Sequence, residues 1–169
     1  LRLSADQQIS DAVDNVNARI ENVENLNAQI MKMKSKSLLV SDLEDQRDLQ
    51  IDYIAKEMNV RTFSRENGQL AIMTGANDFL LDRQAYPLEF KVASAALADG
   101  QMADLTLDDG LPGAHAAISG DISSGRISGL IKVRDELLPQ VQDQLDALAY
   151  NLARKMSDLT IGATTAGLN

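Results

Sequence analysis

Side chains able to do chemistry are sparse in this sequence of 169 residues. It has no cysteine, which removes thiolate nucleophiles, thiolate metal ligands and disulfides. Its one histidine, His115, lies in Pro112-Gly113-Ala114-His115-Ala116, a run of small residues that reads as a surface loop. A single histidine cannot supply a Ser-His-Asp set or a His-based zinc site. Three acids, Asp104, Asp108 and Asp109, cluster ahead of Gly110, but their spacing departs from a calcium-binding loop and reads as a charged turn. Gly120, Gly125 and Gly129 are not followed by the Gly-Lys-Ser/Thr of a phosphate loop. With 25 acids, chance carboxylate pairs are expected, so none is assigned to glycoside cleavage, which needs a cleft and a raised pKa. Two Arg-Asp dipeptides remain, Arg47-Asp48 and Arg134-Asp135. Each falls near the start of a predicted helix, where Asp meets the positive end of the dipole and Arg can pair with acids on a neighbouring helix. They read as fasteners of a helical bundle rather than as a catalytic pair, and the sequence predicts no enzyme, no cofactor and no metal.

Composition points the same way. The hydrophobic fraction is 44% and aromatics are only 4%, with no tryptophan, so the core must be aliphatic. That suits long packed helices better than a ligand pocket with aromatic walls. The net charge of −9 disfavours nucleic acid and anionic membrane as partners, since both need a basic face. The one basic cluster, Lys32, Lys34 and Lys36, reads as a helix end where cations oppose the negative end of the dipole. No apolar run approaches the roughly 20 residues that span a bilayer. No secretory signal is visible, and a chain starting at Leu1 rather than Met is consistent with a trimmed fragment.

These residues need elements to position them, and the hydrophobic periodicity supplies three helices. Ile9, Val13, Val16, Ile20, Val23 and Ile30 step alternately by four and three, with Asn27 filling the gap; this is the heptad spacing of a packed seam. Val, Ile and Asn are modest helix formers, so packing must stabilise this helix. Asn27 either fixes register against a partner or marks a solvent-facing break where Leu26 takes over. Ser41-Asp42-Leu43-Glu44 fits a capping box that opens a second helix, with Leu43, Arg47, Ile51, Ile54 and Met58 on one face and Asn59 as its stop. Arg47 would lay its stem on that apolar stripe and carry its head to an acid. In the last third, Leu138, Leu145, Leu152 and Leu159 recur every seven residues with Val141 and Leu148 between them, a second and more regular seam. Pro139 either opens this helix in its first turn or kinks a longer one.

Between the helices the pattern changes. Val60 to Arg65 and Leu70 to Thr74 flank Glu66-Asn67-Gly68-Gln69, a strong hairpin signal because Asn and Gly both accept positive φ. Further short strands are predicted at Phe79 to Leu81, Leu88 to Val92 and Asp104 to Leu107, punctuated by Gly and Pro. The expected fold is therefore α+β: an elongated, coiled-coil-like antiparallel helical bundle with a small β-rich insertion containing a hairpin. Residues 1–59 and 119–160 would form a discontinuous helical rod, residues 60–118 the insertion and residues 161–169 a flexible tail. The simplest packing zips the first and last helices together, with the β part projecting from one side. The residues assigned to helix packing and assembly are Ile9, Val16, Val23, Ile30, Arg47, Asp48, Arg134, Asp135, Leu138, Leu145, Leu152 and Leu159.

Four segments also resemble a known family. Ser41 to Asp48 resembles the "DLxDQRD" helix start of flagellar hook-associated proteins of the hook–filament junction, and Leu26-Asn27-Ala28-Gln29-Ile30 occupies the place of the "LNxQI" pattern that precedes it there. The family continues with a hairpin that turns on Gly, as Asn67-Gly68 would. Ser124 to Asp135 resembles its "GGxLxGLLxxRD" lead into the last rod helix, and Leu137-Leu138-Pro139 and Leu145 to Ala149 continue the match. The resemblance covers most of the helical part and the first hairpin, in order. It departs at Met156-Ser157, where the family has Val-Asn, and residues 87–118 match nothing in it. The family's tube-forming terminal helices have no counterpart here. The resemblance implies an extracellular axial component of the bacterial flagellum, exported by the flagellar export apparatus. Its implied partners are the hook protein, further hook-associated proteins, copies of itself and an export chaperone. The competing readings are a flagellin-like filament protein and a surface adhesin or ligand-binding module on a helical stalk; the adhesin needs a pocket or exposed apolar patch on the β-rich part.

Overall fold

The computed structural model describes residues 1–93, 102–108 and 116–166, with the side chains of Ala116 and of residues 158–166 also outside the description. His115, Asp109 and the loop around them lie outside the described residues, as does the side chain of Leu159. The first predicted seam becomes α1, Arg2–Lys34, a single helix of 33 residues. Ile9, Val13, Val16, Ile20, Val23 and Ile30 are all buried along it and form the spine of the core. Burying each such side chain is worth roughly 1.5–3 kcal/mol, which is what this helix of modest propensity needs. It closes on Ser37, held at φ 55: the Ser37 amide donates to the Lys34 carbonyl at 3.0 Å and the Leu38 amide to the Met33 carbonyl at 3.1 Å, the paired bonds of a Schellman closure. Lys32 and Lys34 lie in the last turn, where their charge suits the dipole.

The chain then reverses into α2, Ser41–Glu57. The capping box expected at Ser41 does not form: Val40 is the N-cap, and no side chain caps the first turn. Glu44, which should have reached back, instead binds Lys34 Nζ at 2.8 Å on α1. That lysine holds the Glu44 carboxyl below the usual carboxylate range. Descending pairs run down the helical hairpin: Lys34 with Glu44, Asn27 with Arg47, Arg19 with Gln50. The two helices are therefore antiparallel. Arg47 is buried, and its head meets the Asn27 amide rather than an acid. α2 ends with Met58 in an extended conformation.

Two small antiparallel sheets follow. The first, in the order β1-β2-β3, comprises Val60–Ser64, Leu70–Thr74 and Phe79–Leu81. Its hairpin loop is Glu66, Asn67 and Gly68: the Gly68 amide bonds the Arg65 carbonyl and the Arg65 amide bonds the Gln69 carbonyl. Only Gly68, at φ +84, takes positive φ, so the turn is a type I turn closed by a left-handed glycine rather than a two-residue Asn-Gly turn. The second sheet, β4-β5-β6, comprises Leu88–Glu89, Thr106–Leu107 and Ala116–Ala117. The last of these strands carries no sequence signal, being two alanines. Ile72, Leu80, Leu81, Leu88, Leu105 and Leu107 from the two sheets share one core with α1.

A short 3₁₀ turn, Ser119–Asp121, returns the chain to the helical layer. There α3, Arg126–Lys132, starts beside the end of α2: Arg126 reaches Glu57 at 3.6 Å, and Gly125 lies against the Glu57 and Met58 backbone. Thus α2 and α3 lie nearly end to end along α1, and the whole β-rich excursion leaves and re-enters at that break. A wide π-turn, Val133–Leu137, then leads into α4, Leu138–Ala166. Pro139 falls in the first turn of α4. The wide coil before it relieves the clash a proline ring makes with the carbonyl four residues back.

The α+β architecture with an antiparallel helical pairing is thus present, but the partners of α1 differ from the expected ones. α1 packs against α2, α3 and the π-turn, not along α4. Arg2 at the start of α1 donates to the Arg134 carbonyl at 3.1 Å, so α4 begins where α1 begins and runs past it. Leu138 is half-buried, and every side chain from 140 to 157 is exposed, Leu145 at 55% and Leu152 at 58% among them.

Gly125 adopts φ +92, and a Cβ there would lie 2.5 Å from the Glu57 carbonyl oxygen. Gly125→Ala should lower stability by about 3 kcal/mol, combining left-handed strain with a backbone clash. Gly129, helical with nothing within 4 Å of a built Cβ, is the internal control; Gly129→Ala should raise stability by roughly 0.5–1 kcal/mol. Urea denaturation of the two variants checks both signs.

Candidate functional site

An aliphatic seam tolerates a polar residue only where a partner waits for it. The α1 seam holds two, Asp6 and Asn27, both in the same four-three frame as Ile9 and Ile30 and both buried. Each meets one of the two buried arginines.

At one hub Arg134 is 1% exposed and nearly saturated. Its Nη1 donates to Asp6 Oδ1 at 2.8 Å and to the Ala103 carbonyl at 3.0 Å; its Nε and Nη2 grip both oxygens of Asp135 at 2.8 Å. The guanidinium stands 5.7 Å from the Phe90 ring centroid, and Asp6 Oδ2 accepts the Ala93 amide at 2.6 Å. Burial works against the Arg134 charge, but the carboxylates of Asp135 and Asp6 outweigh it, and the guanidinium is held charged above its ordinary range. One side chain therefore joins the first turns of α1, the π-turn and both sides of the second sheet's approach.

At the other hub Asn27 does for a strand what a neighbouring strand would do. Its Nδ2 donates to the Leu70 carbonyl at 2.8 Å and its Oδ1 accepts the Leu70 amide at 3.1 Å. The same Oδ1 accepts from Arg47 Nη1, which also donates to the Gly68 carbonyl at 3.0 Å. Ten residues earlier Asn17 repeats the device on the second sheet, pairing with the Leu88 amide and carbonyl at 2.9 and 2.8 Å. Asn59 closes the excursion: its Oδ1 accepts the Ser123 and Ser124 amides at 2.9 and 3.4 Å. Both sheets are thus pinned to α1 through backbone groups.

Of the residues singled out in the sequence, Ile9, Val16, Val23 and Ile30 lie in the core, Arg47 and Arg134 form the hubs, and Asp135 belongs to the second of them. Asp48 sits on the exposed face of α2, with no partner among the described residues. Leu138, Leu145 and Leu152 lie outside the core. Asp6 and Asn17 carry no assignment in the sequence reading, and Asn59, expected only as a helix stop, also holds Ser123 and Ser124. Asp6 was legible as a charge in seam register, and Asn17 as one of many asparagines on α1 whose separate role no spacing signals.

Nothing in this set is arranged for chemistry. Among the described residues no group of acids could hold a metal. An open depression of about 490 Å³ is lined by Asn59, Arg61, Gly75, Asp121 and neighbours, without a converging acid–base pair. No helix among the described residues is long and apolar enough to cross a membrane.

A long helix carrying a split helical partner, with a β-rich excursion pinned at the split, defines a helical rod domain. Across residues 1–166 the chain matches the flagellar hook-associated protein FlgK helical domain, and it belongs to that family. Among solved structures it is similar to the flagellar hook junction protein FlgK from Burkholderia pseudomallei, with a TM-score of 0.63 and 22% identity. That likeness, which concerns the fold, covers 79% of this chain and 24% of the other, so the chain spans about a quarter of that protein's length. No curated protein matches it by sequence.

Asn27→Ala should cost about 3 kcal/mol, since it removes a buried side chain that satisfies both groups of the half-buried Leu70 peptide and a donor of buried Arg47. Asn17→Ala, at a half-buried site that water can reach, should cost about 1 kcal/mol. Urea midpoints of the two variants, at unchanged slope, read the difference.

Proposed function

We propose that this chain is the helical domain of a hook-associated protein that joins hook to filament in the bacterial flagellum. The match to that family over residues 1–166 carries the reading. In this reading the protein is extracellular, leaves the cell through the flagellar export apparatus, and works mechanically, adapting the hook lattice to that of the filament. Residues 1–59 and 119–160 act as the shaft and residues 60–118 as the body mounted on it. Its partners are the hook protein, other hook-associated proteins and copies of itself, with a chaperone before export. No step of this work needs a catalytic residue or a cofactor.

The buried arginine hubs suit such a task. A buried ion pair adds little net stability over an apolar replacement, but it penalises every packing that leaves its charge unpaired. A junction subunit needs one packing held under torque more than it needs a deep energy well. The exposed apolar stripe of Val141, Leu145, Leu148 and Leu152 serves, in this reading, as a contact with another helix of the assembled structure.

Deletion of the gene tests the proposal. The expected result is filament protein shed into the medium from cells that retain intact hooks, with motility lost and restored by the gene in trans. Normal filaments and swimming in the deletion strain would overturn it.

A further inference from the structure

α4 leaves the body through the π-turn Val133–Leu137, and beyond it the side chains from 140 to 157 are exposed. π-turns are rare in helices and disfavoured without a specific cause. Here a cause is visible. On a regular α-helix neighbouring residues point about 100° apart and do not face each other. Yet the Asp135 carboxylate grips the guanidinium of its immediate neighbour Arg134 with both oxygens at 2.8 Å. The wide turn makes that grip possible, and Arg134 is in turn anchored to α1 through Asp6 and to the chain at Ala103.

We propose that the Asp6–Arg134–Asp135 cluster is a locked joint, which holds the π-turn open and so fixes the rotation of α4 about its own axis relative to the α1/α3 body. Regularising the turn expels its extra residue. α4 then rotates by about 100° and slides by about 1.5 Å, turning its apolar stripe to a different side of the shaft. Pro139 disfavours a regular helix at the same place, so cluster and proline oppose the rotation together. The inference stands on this geometry and does not depend on where in the flagellum the chain works.

The protein has no cysteine, so spin labels attach cleanly to introduced pairs. Asp11 on α1 serves as the fixed point, with Gln142 and Gln144 as alternative partners on opposite sides of α4, all exposed. Each labelled pair is measured by double electron–electron resonance in the parent, in Pro139→Ala and in Asp135→Ala/Pro139→Ala. Asp135→Ala keeps the Arg134–Asp6 pair, so the body remains folded by circular dichroism. The parent and Pro139→Ala should give the same narrow distances. In the double variant one distance should lengthen and the other shorten, by up to roughly 8 Å, the chord of that rotation on a helix 10–12 Å across. Unchanged distances in the double variant, an equal shift in Pro139→Ala alone, or an already broad distribution in the parent would each overturn the joint. If the double variant unfolds, Asp135→Asn/Pro139→Ala replaces it; unfolding of both overturns the proposal too, because Asp135 would then hold the body rather than the turn.

Discussion

Burying a charge or an amide in an aliphatic seam is costly unless its partner arrives with it, and two such burials organise this domain. Asp6 and Asn27 occupy seam positions of α1 near its two ends; Arg47 comes from α2 and Arg134 from the π-turn that follows α3. Leucine against valine tolerates sliding by a turn, since one apolar contact resembles the next. Asp6 against Arg134 does not, because a displaced partner leaves two desolvated charges. The apolar residues supply the energy of packing, and these two pairs supply its register.

The same logic explains how a β-rich segment can interrupt a helical shaft without weakening it. The break between α2 and α3 is bridged by Arg126 reaching Glu57 and by Gly125 pressed against the α2 terminus, so α1 sees an almost continuous partner. What leaves at the break is held by asparagine. An Asn side chain presents one donor and one acceptor with the spacing of a peptide group, so it can pair with a strand's backbone whatever the strand's side chains are. Asn27 holds Leu70 this way and Asn17 holds Leu88. The two sheets can therefore vary in sequence while their mounting on α1 stays the same.

The helices were legible because burial on one face imposes a period on the sequence, and the hairpin because Gly68 must supply a left-handed turn. Three features escaped. The capping box at Ser41 was lost to Lys34, a residue in space rather than in sequence, which drew Glu44 away. The strand at Ala116–Ala117 has no signature of its own and exists only because the neighbouring strand offers a ladder. The pairing of α1 with α4 was inferred from matching heptads, but a heptad states only that a face seeks cover, not which helix covers it. For Arg47 the sequence pointed to an acid as partner, but an amide and a carbonyl serve a guanidinium as well as an acid does.

That last distinction bears on how the domain transmits force. Arg47 is held by neutral acceptors on α1 and on the hairpin loop, so a pull on the first sheet is resisted by hydrogen bonds spread across three elements. Arg134 is held by two carboxylates, one on α1 and one on its own turn, and it meets the second sheet's approach at the Ala103 carbonyl and the Phe90 ring. At Arg134 both partners of the carboxylate bonds are ionised and the Asp135 pair is bidentate, whereas at Arg47 only the donor is ionised. The stiffer hub therefore sits where the helical shaft changes from a packed body to a projecting helix, and the more distributed one sits where a sheet rests on a helix flank. The Arg134 cluster thus lies at the junction through which α4 is joined to the body.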